Sequence, residues 1–120
     1  MTKKLRKNEI FEHIDIYKEL NIPILGKVVE DGKVEGGDCL WLNNKTLLVG
    51  ESSRTNINGI NQLDNILKKF NIKVIPIKLK NFTNKNSCFH LMSFISMIDH
   101  DLVIGYKKLI PDELFQIFKN

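Results

Sequence analysis

Cysteine is scarce in this sequence: only Cys39 and Cys88 occur, without a Cys-x-x-Cys pair or a Cys/His spacing that would suit a metal. Neither a disulfide framework nor a zinc site is therefore indicated. Both residues have apolar neighbours, where a free thiol usually behaves as a small hydrophobic group and its thiolate is disfavoured. We expect reduced thiols, no metal, and no nucleophilic role for either cysteine.

Long apolar runs are also missing. No uninterrupted stretch approaches the roughly 20 residues that a membrane-spanning helix needs. The basic N-terminus is not followed by the apolar segment of a signal peptide. The sequence thus predicts a cytoplasmic protein that does not contact a membrane.

Positive charge is in slight excess but is not concentrated. The net charge is +4, and the basic residues are dispersed apart from a cluster at the start of the chain, Lys3, Lys4, Arg6 and Lys7. Aromatic residues do not interleave with them as in a single-strand binding sheet. A solvated basic surface explains this charge better than a nucleic-acid partner does.

The periodicities that are present indicate an α/β protein of one domain. Apolar residues recur every three or four positions in 8–20 and 56–70, which predicts two amphipathic helices. Apolar runs at 39–42 and 46–49 predict a hairpin, and a further strand is expected at 74–79. A short strand is also expected at 24–29, ended by a turn in which Gly32 takes a positive φ.

The second half of the chain repeats part of this order. Residues 81–86 are polar and predict a loop, 90–97 are apolar, 102–106 predict a strand, and 111–118 predict a helix that opens at Pro111. The chain therefore contains one strand-strand-helix-strand unit followed by a second, incomplete one. No linker separates the two units, so we expect a single continuous fold.

Four polar residues are candidates for chemistry, and each has a simpler explanation. Glu35 and Asp38 flank two glycines and are able merely to shape a turn, or Glu35 is able to accept N–H bonds from a cation that the glycines let approach. Arg54 is suited to a surface ion pair or to a substrate carboxylate. His90, between apolar neighbours, is either half-buried and structural or a proton shuttle. His100, between two aspartates, is expected on an exposed loop.

Three segments together resemble the dimethylarginine dimethylaminohydrolase branch of the guanidine-modifying, or pentein, superfamily. They are Glu-Gly-Gly-Asp at 35–38, Gly-Glu-Ser-Ser-Arg-Thr-Asn at 50–56, and His-Leu-Met-Ser at 90–93. The superfamily also contains arginine deiminases and amidinotransferases, all α/β propellers of strand-strand-helix-strand modules. The resemblance implies that residues 1–120 form a partial propeller domain of about two modules.

The resemblance also implies roles for individual residues. Glu35 would hold the substrate guanidinium, His90 would act as general acid and base, and Arg54 would bind the substrate carboxylate. Arg6, which is followed by Glu9 at the head of the first helix, is similar to the family's other carboxylate-binding arginine. Asp38 falls in the first motif as a substrate-binding or supporting residue.

The sequence departs from the family pattern in two respects. The family has an upstream strand with a substrate-binding aspartate and a C-terminal cysteine nucleophile, and neither is found here, so the isolated chain is expected to be inactive. Deiminases usually carry an aspartate two residues after the catalytic histidine, where this chain has Met92. That difference favours dimethylaminohydrolase chemistry.

The hypothesis is thus a fragment of a hydrolase that converts N-substituted L-arginine into citrulline through a covalent thiouronium intermediate. It needs no cofactor, and its partners are an arginine derivative and either a second copy or a complementing chain. Arginine deimination and amidino transfer are alternatives within the same chemistry. A catalytically inactive binding or assembly piece, or a small basic interaction domain, are alternatives from other classes.

Overall fold

The computed structural model describes residues 9–79 and 89–119, and this part of the chain has the predicted α/β character. Two three-residue 3-10 helices, Gly36–Asp38 and Leu91–Ser93, precede β1 and β4 respectively. The helices and strands follow one another as α1 (Glu9–Glu19), β1 (Cys39–Asn43), β2 (Thr46–Glu51), α2 (Ile57–Lys68), β3 (Lys73–Lys78), β4 (Ile95–Asp99), β5 (Leu102–Gly105) and α3 (Asp112–Lys119).

The first unit is a three-stranded sheet in the order β1-β2-β3. The predicted hairpin pairs β1 and β2 in antiparallel fashion, with Leu40 opposite Leu48. In its turn, the Asn43 side chain accepts a hydrogen bond from the N–H of Lys45 at 2.9 Å. β3 then pairs in parallel with β2, and a parallel pair needs a crossover, which α2 supplies. The strand-strand-helix-strand order is therefore confirmed.

Both faces of this sheet are covered. Side chains of a strand alternate between the two faces, so Leu47 and Val49 pack with Ile60 of α2, while Leu48 faces the opposite way. The second face packs against the other half of the chain, through Leu40, Ile77, Leu91, Phe94, Ile95, Ile110 and Leu114. Burial from both sides explains why β2 is apolar along most of its length.

The second unit is the hairpin of β4 and β5 followed by α3. The strand expected at 102–106 and the helix expected at 111–118 are present, whereas 90–97, interpreted only as apolar, contains a 3-10 helix and the start of β4. Leu114 of α3 is fully buried against the first unit, and Val103 of β5 packs beside it. The other face of the hairpin carries Leu102 and Ile104, both more than half exposed.

The expected strand at 24–29 does not form. The chain runs from α1 to the first 3-10 helix without strand pairing, and Val29 bonds to a side chain instead. The Gln62 amide accepts from the N–H of Val29 at 2.9 Å and donates to its C=O at 3.0 Å. An apolar run indicates an extended chain, but it does not indicate which groups form hydrogen bonds with the backbone N–H and C=O groups of that chain.

The turn that follows is present but is built differently from the prediction. Its hydrogen bond joins the N–H of Gly32 to the C=O of Val29, and the residue with positive φ is Glu30, at 55°. A Cβ on Gly32 would lie 2.6 Å from the amide nitrogen of Gln62 and 2.8 Å from a methyl carbon of Val28, so these side chains would have to shift to accommodate it.

Asn56 connects this segment to the start of α2. As the N-cap residue, its side-chain oxygen accepts from the N–H of Gly59 at 2.8 Å and also from that of Lys33 at 3.0 Å. Its NH₂ group donates to the C=O of Asp31 at 2.7 Å. One side chain thus caps the helix and holds the chain that leads into the Glu-Gly-Gly-Asp motif.

The described helices are all short. None has the length and apolar character required to cross a membrane.

Candidate active site

Three loops meet at one end of the first sheet. Because β1 and β2 are antiparallel, the residues just before β1 and those just after β2 lie at the same end of the sheet. Glu35 caps the 3-10 helix before β1, Arg54 lies in the loop after β2, and His90 precedes the 3-10 helix before β4. The fold therefore brings together three of the residues that the sequence singled out.

Glu35 is the centre of this group. Its Oε2 lies 3.2 Å from Nη1 of Arg54 and 3.4 Å from Nε2 of His90. The side chains are 23%, 22% and 16% exposed, respectively. A partly buried carboxylate that faces N–H groups is suited to bind a planar cation, since charge-assisted hydrogen bonds are the stronger kind.

Asp38 lies beneath this group and is fully buried. Its Oδ2 accepts from the hydroxyls of Ser52 at 2.7 Å and Thr55 at 2.6 Å, and its Oδ1 accepts from the N–H of Leu91 at 3.1 Å. Nδ1 of His90 is 3.2 Å from Oδ2. In this structure the Asp38 carboxylate is thus surrounded by groups of the protein itself.

Sequence reasoning missed Ser52 and Thr55. The Thr55 hydroxyl donates to Asp38 and accepts from the N–H of Glu35 at 3.0 Å, and Thr55 is fully buried. The Ser52 hydroxyl accepts from the N–H groups of Arg54 and Thr55 at 3.1 and 3.2 Å. Both residues lie within the motif at 50–56, so the resemblance marked the segment, but the roles of these hydroxyls depend on Asp38.

The two glycines of the motif differ. A Cβ on Gly37 would lie 2.8 Å from Cγ and 2.9 Å from Cδ2 of the His90 ring, whereas a Cβ on Gly36 would meet nothing within 4 Å. None of the described glycines has a positive φ. The sequence leaves open whether this pair shapes a turn or admits a ligand, and in the structure the group that lies against Gly37 is the imidazole of His90.

Cys39 is unsuited to act as a nucleophile. Burial, and secondly the negative charge of Asp38, raise the pKa of its thiol to about 11. The S–H group donates to the C=O of Glu35 at 3.8 Å. Because the thiolate is the reactive species, this side chain is expected to be inert.

We predict that Cys39 reacts slowly in the folded protein. A rise in pKa from 9.0 to about 11 lowers the thiolate fraction at neutral pH roughly 100-fold. In the Cys88→Ser variant, Ellman's reagent at pH 7.5 should therefore label Cys39 at least about 100 times more slowly than after unfolding in urea. Equal rates in the two states would contradict the buried, protonated thiol.

The remaining predicted positions lie elsewhere. Arg6 is outside the described residues. Met92, two residues after His90, is about half exposed. His100 is on the exposed β4–β5 turn, where hydrogen bonds from His100 lower the pKa of Asp99. The ligand atoms of Asp99, His100 and Asp101 lie within 4.8 Å of one another, but three neighbours on one exposed turn do not make a metal site.

Comparison with known sequences gives a consistent result. The family model of arginine deiminase matches residues 5–120. Arginine deiminases of Streptococcus pyogenes and Streptococcus equi subsp. zooepidemicus are each 33% identical to this chain over 92 residues. The match covers 77% of this chain and 22% of theirs, so the chain spans about a fifth of the length of these relatives.

Comparison with solved structures shows a fold similar to that of dimethylarginine dimethylaminohydrolase (DDAH). The enzyme from Pseudomonas aeruginosa, solved as a cysteine-to-serine mutant with citrulline, superimposes with a TM-score of 0.73 at 24% identity. The superposition covers 95% of this chain and 42% of that one. A DDAH adduct with 4-chloro-2-hydroxymethylpyridine has a TM-score of 0.73 at 25% identity, over 97% of this chain and 44% of that one.

Proposed function

The chain belongs to the arginine deiminase family, and from this membership we propose that it supplies the guanidinium-binding and proton-transfer groups of a hydrolase acting on an arginine derivative. The observation that supports this most directly is the Glu35 carboxylate, whose Oε2 faces both Arg54 and His90. We further propose that β1-β2-α2-β3 and β4-β5-α3 are two modules of an α/β propeller, the second lacking its third strand among the described residues.

The contact between Glu35 and Arg54 is itself a carboxylate bound to a guanidinium. A substrate guanidinium has the same planar shape and the same N–H donors, so it is able to replace Arg54 on Oε2. Arg54 would then be released, and its fork of donors suits the substrate's α-carboxylate. In this proposal Glu35 holds the reacting end of the substrate, and Arg54 fixes the other end.

His90 is placed to transfer protons at the same end. Its Nε2 faces the Glu35 oxygen that would hold the guanidinium, so a proton on Nε2 is close to the departing nitrogen. In the proposed reaction a cysteine thiolate adds to the guanidinium carbon, and the C–N bond breaks as His90 protonates the amine. His90 then takes a proton from water, which adds to the thiouronium carbon. The C–S bond breaks to release the thiolate and citrulline, whose new oxygen gives up its remaining proton to the solvent.

The thiolate of this scheme is not that of Cys39, because the pKa of that thiol is raised to about 11. The scheme therefore requires a cysteine from outside the described residues. The groups that these residues do supply orient the substrate and move protons, and both contributions depend on geometry.

For the substrate, we propose an N-substituted L-arginine such as dimethylarginine. Met92 stands where deiminases usually carry an aspartate for the guanidinium, and an apolar side chain is better suited to face a methylated nitrogen. Unsubstituted arginine is the second candidate, because the curated relatives are named arginine deiminases. Dimethylamine release and ammonia release distinguish the two reactions.

Ligand binding tests the proposal without requiring turnover. In ¹H–¹⁵N spectra, asymmetric dimethylarginine should shift the amide signals of residues 35–38 and 52–56, with a Kd on the order of 1 mM, typical of a small, incompletely enclosed site. Glu35→Gln should weaken binding at least about tenfold, because the amide loses the charge that pairs with the guanidinium. Glu19→Gln, on the exposed end of α1, should leave the Kd unchanged.

Two results would count against the proposal. One is the absence of any saturable shift with either dimethylarginine or arginine. The other is an equal Kd for the wild type and the Glu35→Gln variant. If binding is seen, assays for citrulline, ammonia and dimethylamine on the same sample show whether the chain also turns the ligand over.

A further inference from the structure

We propose that Asp38 is a positioning residue for His90: its buried carboxylate holds the imidazole as the Nδ1–H tautomer, so that Nε2 is presented to Glu35 and the substrate. The catalytic purpose of this arrangement rests on the proposed function. The tautomer itself is a property of the chain without any ligand. It assigns Asp38 a role beneath the site, the supporting one of the two roles that the motif implied.

Asp38 is buried and therefore needs hydrogen-bond donors around its carboxylate. A carboxylate that is 0% exposed is costly unless its oxygens accept hydrogen bonds. Here Oδ2 accepts from Ser52 and Thr55, and Oδ1 accepts from the N–H of Leu91. These donors come from two segments that are 14 to 53 residues away in sequence, so the carboxylate joins all three site loops.

The His90 ring lies between two carboxylates. His90 has Nδ1 3.2 Å from Oδ2 of Asp38 and Nε2 3.4 Å from Oε2 of Glu35. The Nδ1 contact is a close approach rather than an aligned hydrogen bond, and such contacts often tighten when substrate binds. A carboxylate oxygen only accepts, and both ring nitrogens face one. Of the two carboxylates, that of Asp38 is closer to the ring and fully buried, whereas that of Glu35 is partly exposed and also pairs with Arg54. A neutral ring in this place therefore keeps its one proton on Nδ1.

Gly37 supports the same orientation from the other side of the ring. With no Cβ, its backbone lies against Cγ and Cδ2 of the imidazole. The ring is thus confined between the Gly37 backbone and the two carboxylates. Fixing one nitrogen on a carboxylate determines which nitrogen is available to react, and Asp38 is the group placed to do this.

The Asp38→Asn variant separates positioning from mere structural support. The N–H of Leu91 is only a donor, so the amide oxygen of asparagine must stay in the place of Oδ1. The NH₂ group then occupies the place of Oδ2, with one N–H directed to the Thr55 hydroxyl, which accepts one bond from Glu35, and the other to Nδ1 of His90. The Ser52 hydroxyl already accepts from two backbone N–H groups and must direct its own proton elsewhere. Nδ1 of His90 now faces a donor and must lose its proton, so the tautomer inverts to Nε2–H.

The ¹⁵N chemical shifts of the ring nitrogens measure this directly, because they distinguish a protonated nitrogen from a bare one. They are recorded on the 120-residue chain at a pH where the ring is neutral, and the His90 signals are assigned with a His90→Gln variant. We expect mainly Nδ1–H in the wild type and in Ser52→Ala, which keeps the carboxylate. We expect mainly Nε2–H in Asp38→Asn.

Each outcome decides the matter independently of catalysis. An Nε2–H tautomer in the wild type, or an unchanged Nδ1–H tautomer in a folded Asp38→Asn variant, overturns the proposal. If the His90 tautomer also changes to Nε2–H in Ser52→Ala, the proposal is overturned as well. Any disturbance of the hydrogen-bond network would then be enough to change the tautomer, with the Asp38 carboxylate still in place. If Asp38→Asn does not fold, the wild-type and Ser52→Ala spectra still decide. Loss of ligand binding or turnover with the expected tautomers would contradict the proposed function alone.

Discussion

Replacing Gly59 by alanine is expected to lower the free energy of unfolding by about 3 kcal/mol, although the same change in a helix usually stabilises by about 1 kcal/mol. Gly59 lies in the first turn of α2, where helix propensity alone favours alanine. A Cβ there would lie 2.3 Å from the backbone oxygen of Lys33 and 2.6 Å from its nitrogen. Backbone atoms cannot rotate away as the end of a flexible side chain can.

Relief of this clash must separate α2 from residues 31–33. That movement breaks the hydrogen bonds of Asn56 with Lys33 and Asp31, each of which contributes on the order of 1 kcal/mol. The overpacking and the lost bonds act in the same direction. The sign of the effect is therefore opposite to that expected from propensity.

Urea unfolding followed by circular dichroism measures the change. Asn65→Ala, at an exposed position of the same helix, is the matched control and should stabilise by about 0.5 kcal/mol. A Gly59→Ala variant as stable as the wild type would show that the helix and the loop do not lie this close in solution.

Gly37→Ala should cost about 2 kcal/mol of stability and displace the His90 ring, whereas Gly36→Ala should change stability by less than about 0.5 kcal/mol. The new Cβ of Gly37→Ala would lie 2.8 Å from Cγ of the ring and 3.1 Å from Cβ of His90. These atoms are near the His90 backbone, so rotation of the ring alone does not remove the clash. Two adjacent glycines of one motif are thus expected to differ greatly in how well they tolerate substitution by alanine.

The measurement combines urea unfolding with ¹H–¹³C spectra of the imidazole. In Gly37→Ala we expect shifted His90 ring signals and, because both Glu35 and Asp38 face that ring, weaker binding of the arginine derivative. In Gly36→Ala the spectrum and the Kd should match those of the wild type. Equal effects of the two substitutions would contradict the close packing of Gly37 on His90.

Much of the fold follows from residue patterns. The periods of three to four in α1 and α2, and the apolar runs of β1, β2 and β3, predicted elements that the structure confirms to within a residue or two at most ends. These patterns are local, because a helix or strand needs apolar residues on whichever side it buries. The run at 24–29 has the same local character, but its backbone meets the Gln62 side chain and not another strand.

The residues of the candidate site likewise fall into those that the sequence indicated and those that it did not. The motifs at 35–38, 50–56 and 90–93 pointed to Glu35, Arg54 and His90, and the fold brings these three side chains together. Ser52 and Thr55 were not singled out, since hydroxyl residues near a turn are common and most serve only the local backbone. Their contact with Asp38 spans 14 and 17 residues of sequence, which no local pattern reveals.

By itself the sequence indicated most of the helices and strands, with one strand too many at 24–29, the superfamily, and the types of chemical group available, because these depend on residue identity and short-range spacing. Only the tertiary structure decided that Glu35 is partly exposed and faces Arg54 and His90, while Asp38, three residues later, is fully buried. It also decided that the His90 imidazole packs closely against Gly37 and that the backbone of Lys33 packs closely against Gly59. The reason is physical: burial, hydrogen-bond partners and free space at a residue are set by atoms from distant parts of the chain.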